Sequence, residues 1–288
     1  MSNLVITVES GSDMPEELAQ RYGIFVIPMY VQFGDETRED GSFPPSEVCR
    51  YFKETGQAPK TSGSTPEDYR KVFDEIHRRW PEKKILHLAY SAVTTCSYQS
   101  ACLAVKEREY AACVDTRHVT AGMTAAVMAA VRALRTKEIW ELEEAVREAE
   151  KAIGKVRMCF LPYNLTYLRA GGRCGNLTAL CGNLLHIHPQ IEVLDGYLKA
   201  TKKYRGSMKK IIPRLIREYA NREQLDRREL WLLHTPDFSD ELREAASRTA
   251  RDEGFLTIRW MTAGGVITAH GGPGSFAMAG YARDVHDK

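Results

Sequence analysis

Lys84-Ile85-Leu86-His87-Leu88-Ala89-Tyr90-Ser91-Ala92-Val93-Thr94-Thr95-Cys96-Ser97 is the stretch whose reading decides the fold. Lys84 to Ala89 is a mostly apolar run of strand length. A hydroxyl-rich loop, Ser91 to Ser97, follows it directly, and Tyr98-Gln99-Ser100-Ala101-Cys102-Leu103-Ala104 continues as a helix. The same order recurs on both sides. Upstream, Leu4 to Val8 is a β-branched run, Glu9-Ser10-Gly11-Ser12-Asp13 is polar, and Met14-Pro15-Glu16-Glu17-Leu18 opens a helix. Pro15 suits a first turn, and the acidic pair complements the helix dipole. Downstream, Ala112-Cys113-Val114-Asp115 is a short strand, and Ala121 to Leu134 is a helix rich in Ala, Met and Val. Repeated strand–loop–helix order predicts a largely parallel sheet covered by helices.

The remaining segments fill out this plan. Phe25 to Phe33 reads as one strand, and Gly34 to Gly41 as a polar turn or hairpin tip. Pro44-Pro45-Ser46-Glu47 starts a helix through about Glu54, and Pro66-Glu67-Asp68-Tyr69 starts another. Between them lies a second hydroxyl-rich loop, Lys60-Thr61-Ser62-Gly63-Ser64-Thr65. Glu138 to Lys151 is a charged amphipathic helix with opposite charges at helical spacings. The pattern changes near Gly154. Strand-like runs follow at Val156–Phe160, Ile191–Leu194, Tyr197–Thr201, Glu229–His234 and Leu256–Trp260, with helices expected at Leu165–Arg169, Asn176–Leu185, Met208–Ala220 and Ser239–Asp252. Asp195-Gly196 is a strong hairpin signal. The expectation is a two-domain α/β protein. Residues 1–154 form the mostly parallel N-terminal domain. Residues 155–288 form an α+β domain with a mixed or antiparallel sheet.

Composition narrows the function classes. Forty Lys and Arg balance 38 Asp and Glu, and the net charge of +2 gives no reason to expect nucleic acid as a partner. No segment approaches the ~20 apolar residues that span a bilayer. The amino terminus lacks the basic region and apolar stretch of a signal peptide, so a cytoplasmic location is expected. Seven cysteines with no Cys-x-x-Cys pair argue against a disulfide framework and a structural zinc site.

Several short motifs carry chemistry. Both hydroxyl loops sit before helices, where free N–H groups and a partial positive charge favour a small anion. Helix capping by the same Ser and Thr residues is the competing use. Arg169-Ala170-Gly171-Gly172-Arg173 presents an arginine after a tight turn, either to an anion or to solvent. Gly264-Gly265-Val266-Ile267-Thr268-Ala269-His270-Gly271-Gly272-Pro273-Gly274 reads as a glycine loop around an exposed histidine that can donate to an anion. Cys96 at a helix start is a candidate thiolate nucleophile, with His270 as its base. His186-Ile187-His188 lacks a third ligand of convincing spacing, so no metal is expected. The basic run Lys199, Lys202, Lys203, Arg205, Lys209 and Lys210 is either a solvated face or a dock for an acidic partner. No phosphate-binding P-loop and no Gly-x-Ser-x-Gly elbow occur.

In this order, the motifs resemble the DegV family of bacterial fatty-acid-binding proteins. The likeness runs from Ile6 to about Ala282. It is carried by Glu9 to Pro15, Phe33-Gly34-Asp35-Glu36 with Asp40-Gly41, Pro59-Lys60-Thr61-Ser62, and Ser91 to Ala101. It continues through Leu168 to Arg173, Leu184 to Pro189, Asp195-Gly196, Arg205-Gly206 and His270 to Gly274. The resemblance implies a non-catalytic carrier with no cofactor other than its bound ligand. A long-chain fatty acid such as palmitate lies in an apolar tunnel between two domains. Its carboxylate meets Thr61 with Ser62 and the Thr95-Cys96-Ser97 loop, near Arg173 and His270. A separate ATP-binding fatty acid kinase subunit, docked through Arg205, makes the acyl phosphate, and transient membrane contact accompanies this role. Two positions depart from the pattern. Glu9-Ser10 replaces the usual Asp-Ser, and Thr95-Cys96-Ser97 replaces Ser-Gly-Thr. An acyl transferase or hydrolase using Cys96 and His270 is the alternative. The Ala121–Leu134 helix, with Met123, Val127, Met128 and Val131, is either tunnel wall or ordinary core.

Overall fold

The computed structural model describes residues 3–172 and 187–283. Its first half runs β1 (Leu4–Glu9), α1 (Glu16–Tyr22), β2 (Phe25–Ile27), β3 (Tyr30–Phe33), β4 (Glu36–Glu39), α2 (Ser46–Thr55) and β5 (Lys60–Ser62). It continues with α3 (Pro66–Arg79), β6 (Lys84–Ala89), α4 (Ser97–Val105), β7 (Ala111–Asp115), α5 (Thr120–Leu134) and α6 (Leu142–Ile153). The second half opens with β8 (Val156–Leu161), α7 (Thr166–Ala170), β9 (Ile187–Leu194), β10 (Tyr197–Arg205) and α8 (Met208–Arg222). It closes with β11 (Glu229–His234), α9 (Asp240–Asp252), β12 (Thr257–Thr262), α10 (Gly265–Gly271) and β13 (Phe276–Tyr281).

The described residues form three sheets. The strand order β2-β1-β6-β7 is parallel throughout, as the repeated strand–loop–helix units require. The second half forms a six-stranded sheet, β10-β9-β8-β13-β11-β12, antiparallel except for the β11–β12 pair. A small antiparallel sheet, β4-β3-β5, was not expected. The stretch Phe25–Phe33 is two strands in two sheets. Pro28 has no N–H for a ladder, and the Met29 N–H turns away to the Ser10 hydroxyl at 3.0 Å. Lys60-Thr61-Ser62, read as loop, is the edge strand β5, with Thr61 opposite Val31.

Helix α5 joins the two large sheets. Twelve of its fifteen residues are buried, which fits a helix apolar on every side. Its Met123, Val127, Met128 and Val131 share one apolar cluster with Leu86 and Leu88 of the parallel sheet and with Met158, Trp231 and Ala277 of the mixed sheet. They are core rather than cavity wall. Among the described residues no helix is long and apolar enough to cross a membrane.

Candidate functional site

A cavity of about 90 Å³ is lined by both halves of the chain. A water needs roughly 10–15 Å³ of such space, so this is far larger than a packing void. Phe160, Leu168, Leu198, Leu233, Ile267 and Phe276 give it an apolar wall, while Thr61, Ser62, Thr95, Thr120 and His270 add polar groups.

The polar groups are brought together by close packing of four segments. On β5, Thr61 Oγ1 lies 2.7 Å from His270 Nε2 on α10, a contact across 209 residues. Two residues on, Gly63 touches the second hydroxyl loop. A Cβ at Gly63 would lie 2.3 Å from Ser97 Oγ and 2.8 Å from Thr95 Oγ1. Those two hydroxyls are themselves 3.2 Å apart. On the other side, a Cβ at Gly171 would lie 2.1 Å from His270 Nδ1. Only a residue without a side chain fits at either place. The Gly-Gly turn therefore packs against the imidazole.

In the first hydroxyl segment one residue caps a helix and another faces the cavity. Thr65 caps α3: its side chain accepts the Asp68 N–H, and Asp68 returns a bond to the Thr65 N–H. That leaves Thr61 facing His270. In the second loop Thr95 lines the cavity. Ser97 is buried behind it, and Cys96 is exposed at the start of α4, off the cavity wall. His270 Nε2 engages Thr61 rather than a thiol. Nothing in this geometry assembles a Cys96–His270 pair.

The glycine-rich segment around His270 is a helix, not a flexible loop. Its glycines sit at the ends of α10, and Val266 to His270 are helical. His270 is half-buried. Arg173 lies outside the described residues, as do His186 and the stretch read as the Asn176–Leu185 helix. His188 lies on β9, and among the described residues no group of three or more His, Cys, Asp or Glu could hold a metal. Arg205 is exposed at the end of β10.

Beneath the hydroxyl loops lies a buried polar network that sequence reasoning missed. Glu9 Oε1 accepts from Tyr69 at 2.7 Å and meets His87 Nε2 at 3.1 Å, while its Oε2 accepts the Tyr90 N–H at 2.9 Å. Burial opposes the charge on Glu9. The neighbouring His87 and these hydrogen bonds outweigh burial and hold the carboxyl below its ordinary range. The Tyr69 hydroxyl, pushed up by burial and by Glu9, also interacts with Ser64 and Ser97. Glu9 thus supports the loops from below, a role its polar N-terminal motif did not reveal.

Two α/β sheets enclosing an apolar cavity with clustered hydroxyls and an imidazole define a two-domain α/β protein with an internal site for an amphipathic small molecule. The family model of the DegV proteins, described as uncharacterised, matches residues 3–283. A DegV domain-containing protein of Streptomyces coelicolor is 30% identical over 284 residues, 94% of this chain and 96% of its own. A fatty acid-binding protein of Thermotoga maritima is 29% identical over 212 residues, 72% of this chain and 73% of its own. A solved DegV family structure from Thermus thermophilus, described by its fatty acid binding, has a TM-score of 0.86 at 25% identity, covering 98% of this chain and 100% of that one. The chain belongs to the DegV family.

Proposed function

We propose that this protein carries a long-chain fatty acid, with the carboxylate at Thr61, His270 and Thr95 and the tail in the apolar cavity. The observation that carries this reading is the 2.7 Å contact of Thr61 with His270 on a cavity whose other walls are largely apolar. An incoming carboxylate gains charge-assisted hydrogen bonds there in exchange for its water. Each buried CH₂ adds roughly 0.8 kcal/mol, so a sixteen-carbon tail contributes on the order of 10 kcal/mol before ordering costs. The tail sets affinity and the hydroxyls set orientation.

In this reading Ser62 and Arg173 complete the surroundings of the head group, and Ser97 backs Thr95 from behind. The protein itself is not catalytic. A separate kinase subunit, docking at Arg205, transfers a phosphoryl group from ATP to the carboxylate. The carboxylate oxygen forms the new bond to the γ-phosphorus as the β–γ bridging bond breaks. The carrier works in the cytoplasm, touching a membrane only in passing. The division into residues 1–154 and 155–288 belongs to the same proposal, since the chain leaves α6 there and enters the mixed sheet at β8.

Native mass spectrometry of the protein expressed in bacteria tests the reading. The expected result is a co-purified acid of a few hundred daltons, identified after lipid extraction. Thr61→Ala combined with Thr95→Ala should weaken binding of the acid more than binding of the matching alkane-like probe. A chain that carries no lipid and takes up no added fatty acid overturns the reading.

A further inference from the structure

The helix that delivers His270 is held from the opposite half of the chain. Helix α10 has seven residues, too few to be stable alone. Its start leaves backbone N–H groups that need partners. Two carboxylates supply them. Asp13 Oδ1 accepts the Gly264 N–H at 2.7 Å, and Asp40 Oδ1 accepts the N–H groups of Gly265 at 2.7 Å and Val266 at 3.2 Å. These bonds span 251, 225 and 226 residues.

Both carboxylates are themselves fixed. The Ser10 hydroxyl donates to Asp40 Oδ2 at 2.8 Å, and the Thr120 hydroxyl donates to Asp13 Oδ2. Asp13 and Thr120 both have left-handed backbone angles, φ 53° and φ 42°. For a β-branched threonine that conformation costs energy and persists only where its surroundings over-determine it. Asp13 and Asp40 are 9% and 7% exposed, so neither is a solvated surface acid. Burial pushes both carboxyls up from their ordinary range, and for Asp13 the charge of Asp40 adds to the effect. At the far end of the same helix, His270 meets Thr61.

We infer that Asp13 and Asp40 are positioning residues: they fix the start of α10 and thereby set the imidazole of His270 against Thr61, controlling head-group affinity without touching the ligand. The helical geometry gives the leverage. A slip of one residue at the start turns the face that carries position 270 by about 100°. The Glu9-to-Asp13 and Asp40-Gly41 motifs, which no cavity contact explains, thereby acquire a role.

The inference rests on the fatty acid reading, and its test separates the two. In the ligand-free protein, labelled-histidine NMR reports the His270 imidazole, assigned by its loss in His270→Ala. Asp40→Ala should move that resonance, and Asp40→Asn should move it less. In calorimetric titrations with a long-chain fatty acid, Asp40→Ala should weaken binding about tenfold or more. Binding of the chain-matched alcohol should change little. The double variant Asp40→Ala with His270→Ala should bind the acid no worse than His270→Ala alone, because one effect acts through the other. Additive losses, or an unmoved His270 resonance in Asp40→Ala, overturn the inference. Should Asp40→Ala not fold, Asp13→Asn and Asp40→Asn provide the same cycle. A wild-type protein that binds no fatty acid defeats the carrier reading, while the resonance still decides whether the clamp positions His270.

Discussion

At the scale of single residues, the site depends on places where a side chain is missing, Gly63 and Gly171 among them. Gly63 lets β5 approach the second hydroxyl loop, and Gly171 lets the Gly-Gly turn lie against His270. The hydroxyls and the histidine were legible in the sequence because their donor chemistry is written in their residue types. The glycines' role was not, because a close approach exists only between segments distant in the chain. Gly171 stands in the same motif as Arg173, but only the arginine's chemistry shows in its residue type. The consequence is testable. Gly63→Ala places a methyl 2.3 Å from Ser97 Oγ, 2.8 Å from Thr95 Oγ1 and 3.3 Å from the Ser97 backbone nitrogen. Neither loop is a flexible chain end that yields cheaply. We expect Gly63→Ala to cost about 1–3 kcal/mol of stability, in the range of overpacking. Fatty acid affinity should fall with it, since Thr95 and Thr61 are pushed apart. Chemical denaturation and calorimetric titration measure the two effects. Unchanged affinity would show that the two hydroxyl segments do not act on one ligand.

At the scale of elements, the long periodic segments were readable and the short ones were not. The parallel strands β1, β6 and β7 and the helices that follow them came from apolar runs and turn chemistry. Strand β5 has three residues and no large apolar side chain, so no period marks it; its partner β3 creates it. Helix α10 was hidden by glycines, which flank rather than interrupt it, and it needs Asp13 and Asp40 to begin. Capping and the contact with His270 also separate at this scale, because different residues make them. Thr65 caps α3, and Thr61, four residues earlier, faces His270. Thr65→Ala should therefore lower stability by about 1 kcal/mol, the usual cost of an N-cap. Fatty acid affinity should stay as it was. Thr61→Ala should do the reverse. Thermal unfolding and titration of both variants check the pair, and a loss of affinity in Thr65→Ala would return the first loop to a shared role.

At the scale of the whole molecule, the two halves are joined by more than the cavity. Helix α5 is buried between the large sheets, the Tyr281 hydroxyl donates to the Ala125 carbonyl at 3.1 Å, and Arg132 pairs with Glu229 across the same seam. His118 also lies there, in the turn between β7 and α5, 7% exposed. Burial, with the positive Arg157 beside it, lowers its pKa from 6.5 to about 4. A ring kept neutral in the fold but free to protonate in the unfolded chain makes stability depend on pH. Above about 6.5 neither state binds the proton, and the contribution is whole. As pH falls from 6.5 toward 4, the unfolded chain takes up the proton first, and stability drops. A difference of about 2.5 units corresponds to on the order of 3 kcal/mol. Because the seam is one shared core, the loss should appear as an earlier single transition, not as separate melting of one half. Tryptophans report on both halves, Trp80 and Trp140 on the first, Trp231 and Trp260 on the second. We expect urea unfolding followed by their fluorescence and by far-ultraviolet circular dichroism to coincide at pH 7. The midpoint should fall between pH 6.5 and 4, with a shallower fall in His118→Gln. Two separate transitions at pH 7 would show that the halves fold independently and that the seam does not couple them. An unaltered pH slope in His118→Gln would place the acid sensitivity on another group.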